Sequence, residues 1–173
     1  MRSGSQSSPT SKNAFLQPGE SRKLAILNAP VQDLQGLRSL VHLRALRLAN
    51  LTKLTSLSGI EALTSLEELD VNTCRRIGSI FEIESLRELQ RLYFNNDGPI
   101  ESLRPLTNLT KLSEEVFYES TNIRDGDLSP LMKHGLSLVS FQNRRHYSHR
   151  REQSPGFHLQ ACHTGGRSTR TVL

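Results

Sequence analysis

Apolar residues recur through the middle of the chain in two alternating rhythms. Pairs of the form apolar-x-apolar stand at Leu24/Ile26, Leu46/Leu48, Leu69/Val71 and Leu92/Phe94, separated by intervals of 22, 23 and 23 residues. Between pairs the spacing becomes three, as in Leu69, Val71, Cys74, Ile77, Ile80, Ile83, Leu86, Leu89 and Leu92. A spacing of three belongs to neither a strand nor an α-helix. It fits a coil that turns once per repeat, with a short strand on one side and extended or 3₁₀ turns on the other, all aiming apolar side chains at a shared axis. One coil cannot bury that face alone, so its neighbours must complete the burial and roughly three or more are needed. The sequence supplies five and a partial sixth. The pattern therefore predicts an α/β solenoid, an arc with parallel strands on the concave face and 3₁₀ or extended turns, or short helices, on the convex face.

The segment Ile100-Glu-Ser-Leu103-Arg-Pro-Leu106-Thr-Asn-Leu109-Thr-Lys-Leu112 resembles the repeat of internalin-type bacterial leucine-rich repeat proteins. Leu54-Thr-Ser-Leu57-Ser-Gly-Ile60-Glu-Ala-Leu63-Thr-Ser-Leu66 and Val31-Gln-Asp-Leu34-Gln-Gly-Leu37-Arg-Ser-Leu40 follow the same line. The resemblance spans residues 24 to 141 and implies a leucine-rich repeat horseshoe. It also implies an Asn or Cys three residues after the second apolar position of each strand, bonding the backbone of the turn. Here that position holds Leu51, Cys74, Asp97 and Ser120, with Asn50, Asn72 and Asn96 close by. Irregular turns are expected, with the asparagines contributing from shifted places, because Asn tolerates unusual turn dihedrals and bonds local backbone. The fifth strand poses a register question. The repeat interval puts Glu115 and Phe117 inward, whereas a one-residue slip would put Val116 and Tyr118 there. Leu112, Phe117, Ser120 and Ile123 keep the unslipped phase, which is the expected register.

Composition divides the chain into three. Residues 1–18 are rich in Ser, lack an apolar run that could form a signal peptide or membrane span, and read as a disordered leader. Residues 19–142 form the repeat domain and residues 143–173 a basic, largely disordered tail. Internalins proper are exported and anchored at the surface, so the absence of an export signal leads to the expectation of a cytoplasmic relative. The two cysteines, Cys74 in the core and Cys162 in the tail, are expected to be free thiols. Charge separates in the same way. Residues 1–142 carry 16 basic and 16 acidic side chains, whereas the last 31 residues carry six arginines and one glutamate, so the whole net charge of +5 sits in the tail.

Candidate chemistry follows from these divisions. The run Asn143 to Arg151 holds Arg144, Arg145, Arg150 and Arg151 with two histidines and a tyrosine, and could meet phosphates or an acidic surface. The plainer expectation is that this run caps the solenoid end with its arginines solvated. His146, His149, His158 and Cys162 offer zinc-ligand types at spacings that match no zinc motif. Asp125-Gly-Asp127 lacks the spaced carboxylates of a calcium loop and reads as a turn before a short helix capped by Asp127, with Pro130 in its first turn and His134-Gly135 at its end. No phosphate-cradling loop or nucleophile elbow is present, so neither an enzyme nor a bound cofactor or metal is expected. What remains is the concave surface. Reading the outward strand positions gives Arg47, Asp70 and Tyr93 in one line and Asn72, Asn95 and Tyr118 in the next. Tyrosine beside asparagine combines rigid apolar area with adaptable hydrogen bonding. The expected function is a non-catalytic module that binds a partner protein on this face. A regulatory or immunity-type subunit occluding an enzyme is the alternative, and nucleic-acid binding through the arginines is less favoured because the repeat domain is neutral.

Overall fold

The computed structural model describes residues 14–16, 22–132 and 135–155. One seven-stranded sheet runs through them: β1 (Ala14–Leu16), β2 (Lys23–Leu27), β3 (Ala45–Ala49), β4 (Glu68–Asn72), β5 (Arg91–Asn95), β7 (Glu114–Tyr118) and β9 (Leu138–Phe141). From β2 to β9 every neighbouring pair is parallel, and the register aligns Leu24, Leu46, Leu69, Leu92, Glu115 and Val139 in one column. The expected solenoid and its strand pairing are borne out. A second ladder of two short strands, β6 (Pro99–Ile100) and β8 (Asn122–Ile123), forms beyond the strand side in two adjacent coils.

The spacing of three has a direct backbone cause. Each return segment is a run of i→i+3 turns: Leu63 N–H donates to Ile60 O and Leu66 N–H to Leu63 O, and the same steps recur at Leu86, Leu89, Leu109 and Leu112. With three residues per turn, every third side chain falls on one face. In the coil from Leu69 to Leu92 the nine apolar residues of the sequence pattern are at most 1% exposed. Short 3₁₀ segments at Ile60–Ala62, Phe81–Ser85 and Arg104–Asn108 mark these returns. A single carbonyl then ties each coil to the next: Arg44 O accepts from the N–H groups of Glu67 and Glu68, Glu67 O from Gln90 and Arg91, and Gln90 O from Ser113 and Glu114.

Turns after the strands repeat as well. Asn28, Asn50, Thr73, Asn96 and Glu119 all adopt left-handed backbone, with φ between 53° and 60°. Asparagine is among the residues that tolerate this conformation, so the expected shifted role of Asn50 and Asn96 holds. Asn72 does not share it: it ends β4, and the turn falls to Thr73. The polar position also moves in the fifth coil. Ser120 is exposed, and Thr121 is buried in its place, its hydroxyl accepting from Asp97 N–H at 3.0 Å.

Both ends of the repeat domain differ from expectation. Ala14–Leu16, assigned to a disordered leader, pairs antiparallel with β2 and covers that sheet edge, which satisfies backbone groups an open edge would leave free. The boundary expected after Gln142 lies further on. Residues 143–155 pack as the return half of a sixth coil, with Tyr147 only 8% exposed and a 3₁₀ turn at Arg151–Gln153. Tyr147 explains the difference, because its ring packs edge-on against Phe117 and Phe141, at 6.3 and 6.0 Å between centroids. Residues 156–173, the rest of the expected tail, lie outside the described residues.

Candidate functional site: the concave sheet face

Alternation along each strand sends one set of side chains into the core and the other to the concave surface. Parallel pairing then stacks the outward set in three columns about 4.8 Å apart per step. The first holds Lys23, Ala45, Glu68, Arg91, Glu114 and Leu138; the second Ala25, Arg47, Asp70, Tyr93, Val116 and Ser140; the third Leu27, Ala49, Asn72, Asn95 and Tyr118. All six concave residues expected from the sequence stand on this face. Sequence reasoning misses the first column, although its signal is present: it is the residue immediately before each apolar-x-apolar pair.

That missed column organises the face electrostatically. Arg91 Nε and Nη2 donate to Glu68 Oε2 at 3.0 and 2.8 Å, and Arg47 faces Asp70 at 3.3 Å one column across. Tyr93 donates its hydroxyl to Glu114 Oε2 at 2.6 Å. Burial foremost, then the hydrogen bond to the Glu114 carboxylate, removes Tyr93 from the ordinary phenol range towards still weaker acidity. Tyr118, 36% exposed, shares a hydrogen bond with Ser140. Asn72 Oδ1 accepts from Thr73 Oγ1 at 2.7 Å. Asn95 lies between Asn72 and Tyr118 in register, with a buried Oδ1 that no described group satisfies. Tyr93, Asn95, Val116 and Tyr118 thus make one contiguous patch on β5 and β7, with both rings pinned by hydrogen bonds at their tips.

Beneath the turns runs a buried polar line. Asp97, fully buried, accepts from Cys74 N–H at 2.7 Å through Oδ1. Burial pushes Asp97 up to about 7 and the Cys74 thiol up to about 11. A thiol that weakly acidic and that deeply buried is a poor nucleophile. Cys74 is free, as expected; Cys162 lies outside the described residues.

The basic run is built into the coil end. Arg144 Nη2 donates to the carbonyls of Glu119 and Thr121, at 2.8 and 3.2 Å. Arg151 N–H donates to Asn143 Oδ1, while Arg145 and Arg150 are exposed. His146 Nε2 lies 2.9 Å from Ile123 O and His149 Nδ1 2.8 Å from Ser148 Oγ, so each ring is engaged separately. Among the described residues no three metal-ligating side chains gather, and His158 is not among them. Asp127 Oδ1 accepts from Ser129 N–H at 2.9 Å before the 3₁₀ turn Ser129–Met132, giving the expected cap to a tighter helix than an α-helix. Gly135 follows with φ of +109°; His134 lies outside the described residues. On the return side, a groove of about 810 Å³ lies between Phe81–Ser85 and Arg104–Asn108, next to the 68% exposed Phe81. No helix among the described residues is long and apolar enough to cross a membrane.

Comparison with known proteins agrees with this architecture. The family model for the leucine-rich repeat domain of the endo-beta-N-acetylglucosaminidase EndoS matches residues 18–96. Internalin C2 of Listeria monocytogenes superposes with a TM-score of 0.57 at 25% identity, over 70% of this chain and 52% of that one. The leucine-rich repeat ectodomain of the receptor kinase SOBIR1 from Arabidopsis thaliana gives a TM-score of 0.40 at 23% identity, over 73% of this chain and 67% of that one. No curated protein matches the chain. The chain therefore has the leucine-rich repeat fold, and its coils are similar to those of internalin C2. It spans about half the length of the internalin C2 chain.

Proposed function

We propose that this protein is a non-catalytic interaction module that holds a partner protein against its concave face. The observation that carries the reading is the patch on β5 and β7, where Tyr93 and Tyr118 present rings fixed by Glu114 and Ser140. Aromatic side chains held in place before binding lose little conformational freedom on contact, so more of their buried area becomes affinity. Charges on the same face are largely paired with each other, Arg91 with Glu68 and Arg47 with Asp70. Such a surface suits a partner of mixed polarity better than a polyanion. The basic run supports the same view, since Arg144 already donates to two carbonyls of its own fold.

Affinity capture from native lysate, followed by mass spectrometry, tests the reading when wild type is compared with Tyr93→Ala/Tyr118→Ala. The double variant should lose the captured partner while keeping its melting temperature within a few degrees, because both positions lie on the solvent side of the sheet. Removing the chain after Gln142 is unsuitable as the contrasting variant, since Tyr147 belongs to the core. Arg145→Ala/Arg150→Ala changes exposed charge instead. Nucleic-acid binding that falls steeply with salt, vanishes in the arginine variant and survives in the tyrosine variant would overturn the proposal.

A further inference from the structure

Glu115 is the one carboxyl among the described residues whose two oxygens are both buried without a hydrogen-bond partner, and its residue has 0% exposure. Its neighbours in register are Leu92 on β5 and Val139 on β9. Native cores satisfy nearly all such groups, so its place in an apolar column calls for a consequence. We propose that Glu115 makes the C-terminal end of the solenoid a pH-gated segment: loss of its proton releases β7 and β9, and with them Tyr118, from the closed stack.

The surroundings offer the carboxylate no compensation. Strand alternation turns Arg91 and Tyr93 of β5 and Glu114 of β7 to the concave side, away from it. On the core side β5 presents Leu92 and Phe94, and β9 presents Val139 and Phe141. Other buried titratable groups are Cys74, Asp97, whose Oδ1 accepts from the Cys74 backbone N–H in the turn column, and Tyr147, whose hydroxyl accepts from Ile123 N–H and donates to Asn122. No charged side chain among the described residues counters the desolvation, which raises this carboxyl well above its usual range. A buried carboxylate without partners is expensive, and the ionised form reaches water only if the coil opens. Position decides where. Beyond β7 the described solenoid holds β8, the Ser129–Met132 turn, β9 and residues 143–155, so opening here parts fewer strands of the main sheet than opening at β3 or β4.

The sign follows from linkage. In the opened coil Glu115 is an ordinary carboxyl with its usual value of 4.5, while in the closed coil it keeps its proton to higher pH. The closed form is therefore favoured fully below that value and loses ground as pH rises above it, by up to about tenfold in the opening equilibrium per pH unit. Asp97, pushed up to about 7, adds a similar loss over a lower window that ends near neutrality.

Hydrogen exchange of the full chain between about pH 5.5 and 8.5, corrected for intrinsic rates, reads this directly. Protection of β7 and β9 should fall with pH, by up to about tenfold per unit, while that of β3 and β4 stays level. Glu115→Gln should reduce the dependence to the part Asp97 contributes, by removing the Glu115 titration, and Glu115→Leu should do the same and raise protection throughout. Asp97 is common to all three proteins and cancels in the comparison. If Glu115→Gln fails to fold, the leucine variant carries the comparison alone. Protection of β7 and β9 that is level with pH in the wild type, or equally pH-dependent in the variants, overturns the proposal.

Discussion

The coil from Leu69 to Leu92 and the coil from Glu115 to Val139 share their strand pairing and differ in their contents. Their strands pair in the same register, and each is preceded by a carbonyl, Glu67 O or Ser113 O, that accepts from two N–H groups of the next coil. Yet the first coil fills its core with nine apolar residues at the expected spacing. The second has a carboxyl at the opening core position and its polar turn residue displaced from Ser120 to Thr121. What compensates is an aromatic cluster: Phe117 stacks on Phe141 at 5.3 Å with the rings 7° apart, and Tyr147 meets both edge-on. A one-residue slip would remove Glu115 from the core but expel Phe117 from that cluster as well. The lesson is that the inter-coil backbone ladder fixes the repeat, while individual core positions can fail if another group in the same coil anchors it.

The sharpest break of this comparison lies in the shared column of Leu92 and Glu115. Leu92→Ala removes a fully buried side chain in the regular coil and should cost about 2 to 5 kcal/mol through the cavity it leaves. Glu115→Leu, one strand along in the same column, should instead stabilise by about 2 kcal/mol, because it replaces an unsatisfied group with an apolar one. Chemical denaturation of both variants against wild type measures the pair. Losses of similar size would mean that Glu115 has a partner in the folded protein.

Two glycines extend the contrast to the turns. Gly59 and Gly135 have nearly equal φ, +107° and +109°. An added Cβ at Gly59 would stand 2.3 Å from the Leu34 carbonyl of the preceding coil, whereas at Gly135 no described atom lies within 4 Å. Gly59→Ala should therefore cost more than about 2 kcal/mol, from strain and coil separation together, and Gly135→Ala about 1 kcal/mol from strain alone. Equal melting temperatures in the two variants would show that contact between coils at Gly59 does not limit stability.

Much of this architecture is legible in the sequence alone. Leucine spacing carries the strands, their register and even the inward place of Glu115, because the period of the repeat is a property of the backbone turns and outweighs one unfavourable residue. Chemistry that departs from the period is not legible there. Tyr147 joins the core from a segment with no apolar spacing, since a long ring can fill from the side what a leucine fills in line. Thr121 replaces Ser120 because the turn shifts by one residue, which no spacing signals. Ala14–Leu16 is too short to show alternation, and only the open edge of β2 reveals why it pairs. On the concave face, counting outward positions finds the columns led by Arg47 and Asn72 but passes over Glu68, Arg91 and Glu114. Their pairing exists only once strands stack and bring residues 23 apart into contact.

The smallest expected effect tests how much strain the left-handed turn stores in the C-terminal coil, a conformation that Thr73 adopts at the same turn of the coil from Leu69 to Leu92. Glu119 has φ of 58° at the turn position where Asn28, Asn50 and Asn96 have 53°, 56° and 60°. Left-handed backbone disfavours a side chain with an unbranched stem more than it disfavours asparagine, whose short amide bonds local backbone. Glu119→Asn should therefore stabilise by about 0.5 to 1 kcal/mol, a rise of roughly 1 to 4 °C in melting temperature for a chain of this size. The Glu119 carbonyl should keep its bond from Arg144, because the substitution leaves the backbone in place. The reverse change at Asn96 is not its mirror image. There Oδ1 accepts from Arg75 and Ser120 while Nδ2 faces Thr73 Oγ1, so Asn96→Glu loses a side-chain network as well as a tolerant conformation. If Glu119→Asn leaves the melting temperature unchanged or lowers it, the left-handed turn is not a source of strain in this coil, and its difference from the regular coils lies in Glu115 and the displaced Thr121.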